Sequence, residues 1–222
     1  MFKIVLIDDD IEEFVKIRIT IKENAPTKYS FENNDFCFTE FPLNNFEIPE
    51  DIVKNLVGLI NNKDISMIII DYKLLTNSKL FEGNKIFSDI CKIVPKFPIV
   101  ILTERLNESL EGFFVDADKI YEKSKFFQVE SSYSKEKVNN LFYNMESYAQ
   151  NLSELEENLQ LLLGEMQNNN LTPEIVNQIN TIETELAKYI PLDHCQAEEL
   201  FNPHDLKEVI NLLIEANKLI KG

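Results

Sequence analysis

The sequence predicts an α/β fold with a parallel sheet, followed by an all-α extension. Up to about residue 127, short apolar runs alternate with helical patterns. Three of the runs are almost wholly apolar, without period-two alternation, as strands covered on both faces are. From Val138 onward the apolar spacing changes to alternating threes and fours and stays there.

The strand runs are FKIVLI (2–7), FCFTEF (36–41), ISMIII (65–70), PIVIL (98–102) and KIYE (119–122). Between them lie amphipathic stretches. Residues 10–23 carry Ile11, Phe14, Val15, Ile17 and Ile21; 49–61 carry Ile52, Val53, Leu56 and Ile60; 83–94 carry Ile86, Phe87, Ile90 and Ile93. A weaker one spans about 106–115. The stretch 25–48 is too long for a simple connection. Tyr29–Phe31 and Phe36–Phe41 around Asn33-Asn34 suggest a small hairpin there.

Composition narrows the function. At 222 residues the chain accommodates one full domain and a smaller one. A net charge of −16, with Arg18 and Arg105 the only arginines, argues against a nucleic-acid surface, which depends on Lys and Arg. Cys37, Cys91 and Cys195 are scattered, without metal-ligand spacing, and read as reduced thiols. Acids arrive at Asp8, where the apolar core of a signal peptide should continue. No apolar run approaches the roughly 18 residues of a membrane helix. The expectation is a cytoplasmic protein with neither membrane nor nucleic-acid partner.

In open α/β sheets the site lies at the carboxyl ends of the strands. The first strand delivers Asp8 and Asp9, the third Asp71, the fourth Thr103, and the fifth ends at Lys123. Like charges crowded at a buried strand end need a positive partner. Clustered carboxylates with an open side suit Mg²⁺, which takes one or two of them and keeps waters and a phosphate oxygen. With a lysine and a hydroxyl alongside, the set is arranged for phosphoryl transfer onto Asp71.

These residues resemble the receiver domain of two-component response regulators. Asp8 and Asp9 match that family's acidic pair, Asp71 its phosphoacceptor, Thr103 its hydroxyl residue, and Lys123, within ADKIYEKS, its lysine. Gly83 sits where a glycine commonly opens the third helix. The resemblance implies a flavodoxin-like, doubly wound five-stranded sheet of order 2-1-3-4-5. It also implies Mg²⁺ held by Asp8, Asp9, Asp71 and the backbone carbonyl of Lys73, and a sensor histidine kinase or other phosphodonor as partner. Asp10 is an extra acid suited to capping the first helix. The sequence departs from the family in four places. Ser124 replaces the usual proline. The switch position, normally aromatic, falls on Ile120, with Tyr121 one further on. Glu104 stands where a small residue is preferred. The segment DYKLLTNSKLFEG is longer than the norm and lacks its proline.

The second half reads as a coiled-coil or bundle extension. Apolar residues fall at 138, 141, 145, 148, 152, 155, 159, 162 and 166, an a/d pattern over one long helix of 134–167. Leu152, Leu155, Leu159 and Leu162 form its candidate interface. Thr172 and Pro173 open a second helix, 173–190, and Asn202 and Pro203 a third, 203–220. The expected division is therefore a receiver over 1–133 and a helical extension over 134–222. From 150 to 222 the net charge is −9, which speaks against a DNA-binding output. His204-Asp-Leu-Lys207 looks like the motif of histidine phosphotransfer domains, but His204 falls in a first helical turn and Glu208 replaces the usual glycine.

The expected function is that of a signalling protein, not a separate enzyme: Mg²⁺-dependent phosphoryl acceptance on Asp71 that switches a helical dimerisation or partner-docking module. The alternatives are a receiver-like scaffold that binds partners without phosphorylation and, further off, a receiver fused to a phosphotransfer module using His204.

Overall fold

The computed structural model describes residues 1–76, 79–104, 117–167 and 172–191. The helices expected over about 106–115 and 203–220, together with Cys195 and His204, lie outside the described residues. In chain order the elements are β1 (Phe2–Ile7), α1 (Ile11–Asn24), β2 (Phe36–Glu40), α2 (Pro49–Asn61), β3 (Met67–Asp71), β4 (Lys73–Thr76), β5 (Lys79–Glu82), α3 (Gly83–Ile93), β6 (Ile99–Thr103), β7 (Ile120–Glu122), α4 (Lys123–Phe126), α5 (Ser132–Gln167) and α6 (Pro173–Leu186). Short 3₁₀ turns occupy Leu43–Asn45 and Ala117–Lys119.

Five strands form one parallel sheet, ordered β2-β1-β3-β6-β7. Counted within that sheet the order is 2-1-3-4-5, as expected. Uninterrupted Val/Ile/Leu runs reflect two covered faces. Val5, Ile7, Ile68, Ile70, Ile99 and Ile101 meet α2 and α3 through Ile52, Leu56, Ile86 and Ile90. Ile4, Leu6, Met67, Ile69, Val100 and Leu102 meet α1 and the first half of α5 through Phe14, Ile17, Ile21, Val138, Leu141, Phe142 and Met145. Ile11 and Val15, which the periodicity placed inward, are instead exposed at the start of α1.

The expected hairpin over Tyr29–Phe41 does not form. Phe36–Glu40 pairs parallel with β1, in register from Phe2↔Phe36 to Leu6↔Glu40, and Tyr29–Phe31 form no strand. Tyr29 and Phe31 serve as packing residues instead. Tyr29 stacks on Phe142 at 4.8 Å between ring centroids, and Phe31 meets Phe36 edge-on at 5.7 Å. Asn34, in the left-handed region at φ 59°, makes the turn into β2. A hairpin does occur elsewhere: β4 and β5 pair antiparallel between Asp71 and Gly83, with Lys73 opposite Glu82 and Leu74 opposite Phe81. This accounts for the long segment after Asp71.

Helix α5 is 36 residues long, about 54 Å at 1.5 Å per residue. Its first half is a wall of the sheet's core. Its second half pairs with α6, which Thr172 caps by accepting from the Ile175 N–H at 3.3 Å. Where α6 ends, the chain returns to the sheet. Tyr148 Oη donates to the Tyr189 carbonyl at 2.6 Å, and the Lys96 N–H donates to the Lys188 carbonyl at 2.9 Å. Phe97 packs edge-on against Tyr148 at 5.3 Å, and Lys63 Nζ meets Glu156 Oε1 at 2.6 Å. Lys63 and Phe97 precede β3 and β6, so these ties lie at the amino edge of the sheet.

Candidate acidic site at the carboxyl edge of the sheet

The buried strands β1 and β3 end by releasing Asp8, Asp9 and Asp71. One carboxylate oxygen from each lies within 4.8 Å of the others. Asp8 is buried, Asp71 half-buried and Asp9 exposed, so the cluster has an open side. The positive partner that the sequence demanded is Lys123, the first residue after β7. Its Nζ lies 2.8 Å from Asp71 Oδ1, 3.1 Å from Asp8 Oδ2 and 3.5 Å from Glu13 Oε2.

Backbone donors hold the other carboxylate oxygens. The Asp10 N–H donates to Asp8 Oδ1 at 3.0 Å, and the Lys73 N–H to Asp71 Oδ2 at 3.3 Å. Asp10 caps α1 as expected, its Oδ1 accepting from the Glu12 N–H at 2.8 Å. Thr103 is fully buried at the end of β6, in register with Glu122 beside Lys123. Glu104, the next residue, is exposed.

Burial pushes the Asp8 carboxyl up to about 6, although Lys123 and the Asp10 N–H pull the other way. Burial also raises Asp71, again against Lys123. For Lys123 burial opposes the charge, but Asp71 and Asp8 outweigh it and the ammonium is held more firmly than in water. Three carboxylates, those of Asp71, Asp8 and Glu13, thus share one ammonium, and Asp9 adds a fourth negative charge beside Asp8 and Asp71. That excess of negative charge, with an open side, is the condition under which a hard divalent cation binds. Asp8, Asp9 and Asp71 therefore fit Mg²⁺.

The backbone is equally constrained. The Gly83 N–H donates to the Tyr72 carbonyl at 2.8 Å, which draws the start of α3 against the chain just after Asp71. A Cβ at Gly83 would fall 1.8 Å from the Asp71 carbonyl oxygen and 3.0 Å from its carbon. Only glycine permits that approach.

Asp8, Asp9, Asp71 and Lys123 are thus brought together, with Thr103 on the adjoining strand end. Ile120 and Tyr121 are both buried within β7. Tyr121 belongs to the α1/α5 side, where its ring lies 6.0 Å from Phe126. Along α5 Leu152 is buried and Leu155, Leu159 and Leu162 are half-buried. The residue that the sequence reading missed is Glu13. Its only signal was an acid three places after the capping Asp10, which is ordinary for a first helical turn.

No protein-family model matches the sequence, and no curated protein matches it. Among solved structures, one match is a fusion carrying the trimeric coiled coil of yeast Spc42. It is 17% identical, with a TM-score of 0.41, over 75% of this chain and 96% of that one. Another is the Salmonella typhimurium RcsB response regulator, 16% identical, with a TM-score of 0.39, over 90% of this chain and 97% of that one. The strand order and the acidic cluster of Asp8, Asp9 and Asp71 fit a receiver domain.

Proposed function

We propose that the chain is a phosphoaccepting signalling protein, in which Asp71 takes a phosphoryl group and the C-terminal helices carry the output. The observation that carries this reading is the convergence on Lys123. Its ammonium lies 2.8 Å from Asp71 and 3.1 Å from Asp8, with a carboxylate oxygen of Asp9 in the same cluster. A structural ion pair needs one carboxylate; a phosphoryl acceptor needs a nucleophilic one flanked by positive charge.

In the proposed step an oxygen of Asp71 attacks the phosphorus of a phosphodonor. The new P–O bond forms as the bond from phosphorus to the donor breaks, and the donor leaves with that electron pair. Lys123 and the Thr103 hydroxyl receive the non-bridging oxygens. Bound Mg²⁺, held by Asp8, Asp9, Asp71 and the Lys73 carbonyl, supplies neutralising charge. Phosphorylation then biases the β6 and β7 ends between two arrangements, and α5 conveys that bias. Ile11, Val15 and Ile19 are exposed and spaced four apart on α1, a stripe that suits a protein donor such as a sensor histidine kinase.

The output side is the α5–α6 pair. Leu161, Leu162 and Ile182 line a groove of about 530 Å³ between the two helices, and Leu161 is 68% exposed. From Val138 to Pro191 the chain carries eight glutamates and one lysine, which suits protein docking or self-association and opposes nucleic acid. No described helix is long and apolar enough to cross a membrane.

The test is intact-mass spectrometry after incubation with acetyl phosphate and Mg²⁺. Wild type should gain one phosphoryl group and Asp71→Asn none, and Asp9→Ala should weaken Mg²⁺ binding. The second reading, a scaffold that is never phosphorylated, is favoured by Glu104 beyond Thr103 and by Ile120 at the switch position. An absence of adduct on wild type selects it.

A further inference from the structure

Glu13 is the acid at this site to which the reading above gives no part. It sits in the first turn of α1, three residues after the cap. In a capping box the acid at that position turns back to the N–H of the capping residue. Here that N–H is already taken: Asp10 donates to Asp8 Oδ1 at 3.0 Å. Glu13 is released from capping and divides its oxygens. Oε1 pairs with Lys16 at 2.7 Å. Oε2 is inaccessible to solvent and makes no hydrogen bond among the described residues, and its cation is Lys123 at 3.5 Å.

A buried carboxylate oxygen without a hydrogen bond is costly unless a charge compensates it. Lys123 provides that charge, but from a longer distance than it keeps to Asp71 or Asp8. Glu13 does not belong to the group of carboxylates whose oxygens lie within 4.8 Å of one another. It is an anion for the lysine rather than for a metal ion.

We infer that Glu13 is a positioning residue for Lys123, sharing the ammonium with Asp71 and Asp8 and so limiting the positive charge that reaches the acceptor. The inference rests on the phosphoacceptor reading for its second consequence only. With Glu13 neutralised, Lys123 pairs more fully with Asp8 and Asp71, and the cation loses a nearby anion. Mg²⁺ affinity falls by roughly three- to tenfold, the scale of one partly screened charge. Once a phosphoryl group is on Asp71, the freed lysine serves it, and the adduct half-life at saturating Mg²⁺ rises at least about twofold.

The experiment uses the full chain as wild type, Glu13→Gln, Glu13→Asp and Lys16→Met. Mg²⁺ affinity is read by titration calorimetry and adduct half-life by intact mass after acetyl phosphate is removed. Glu13→Gln should weaken Mg²⁺ and lengthen the adduct, Glu13→Asp should fall between it and wild type, and Lys16→Met should move neither. Glu13→Gln indistinguishable from wild type in both readouts overturns the inference. So does a Lys16→Met variant that reproduces its shifts, because the glutamate then acts only by pairing along α1. If Glu13→Gln weakens Mg²⁺ but wild type takes no phosphoryl group, the phosphoacceptor reading falls and the hold of Glu13 on Lys123 stands.

Discussion

Replacing Gly83 by alanine tests whether the backbone around Asp71 is as tightly set as its geometry implies. The added Cβ would meet the Asp71 carbonyl oxygen at 1.8 Å, its carbon at 3.0 Å and Ile70 Cγ1 at 3.2 Å. To regain even a 3.0 Å approach, α3 or the acceptor's backbone must retreat by about 1.2 Å, in an interior packed to crystal-like density. Overpacking of this kind costs about 1–3 kcal/mol. For a chain of this size that lowers the melting temperature by roughly 3–10 °C. The retreat also moves the Asp71 carboxylate, and if it attacks phosphorus as proposed, a misplacement of about 1 Å can cost on the order of a hundredfold in rate. Gly58 provides the control. It lies exposed in α2 with nothing within 4 Å of a built Cβ, so Gly58→Ala should stabilise by about 0.5–1 kcal/mol. Thermal denaturation of both variants, with phosphorylation by acetyl phosphate followed by mass, gives the comparison. A Gly83→Ala protein that melts with wild type and takes phosphoryl at the wild-type rate would refute the claim that this contact fixes the acceptor.

Two further outcomes follow from the charge and packing already described. Burial raises the Asp8 carboxyl to about 6 from its ordinary 3.8, so the folded protein holds that proton more tightly than the unfolded chain does. The metal-free protein therefore loses this contribution to stability as pH rises through about 6, while Mg²⁺, which selects the ionised carboxyl, should raise the melting temperature above about that pH and little below it. An equal rise on both sides would contradict Asp8 as a ligand. In the helices, Leu155→Glu with Leu159→Glu places charge at half-buried positions, at a cost of about 1–3 kcal/mol, and should disrupt self-association or the α5–α6 pair while leaving the Asp71 adduct intact. Light scattering with circular dichroism reads both, and a wild type that stays monomeric at every concentration, phosphorylated or not, removes the dimer and leaves the groove to a different protein.

The sheet was legible in the sequence because its strands are buried on both faces, so the apolar runs at β1, β3 and β6 needed no periodicity to be found. The acids were legible for the same reason: Asp8, Asp9 and Asp71 stand where an apolar run stops. What escaped was information carried by backbone pairing and by side-chain choice. Phe36–Glu40 has the alternation of a hairpin arm, yet it pairs with β1, far off in sequence. Leu74 and Phe81 face each other across β4 and β5, a local pairing whose only cue was the length of the segment. Glu13 escaped because composition cannot distinguish an acid that caps a helix from one that turns to a lysine 110 positions along the chain.

The ties at Tyr148, Lys96 and Lys63 gather the α5–α6 pair at the amino edge of the sheet, and the acidic cluster opens at the other edge. A strand of five residues separates the two by about 17 Å. A molecule delivering phosphoryl to Asp71 and one seated between α5 and α6 therefore do not compete for ground. On the proposed reading the protein could hold both at once, and neither visitor would have to leave before the other arrived.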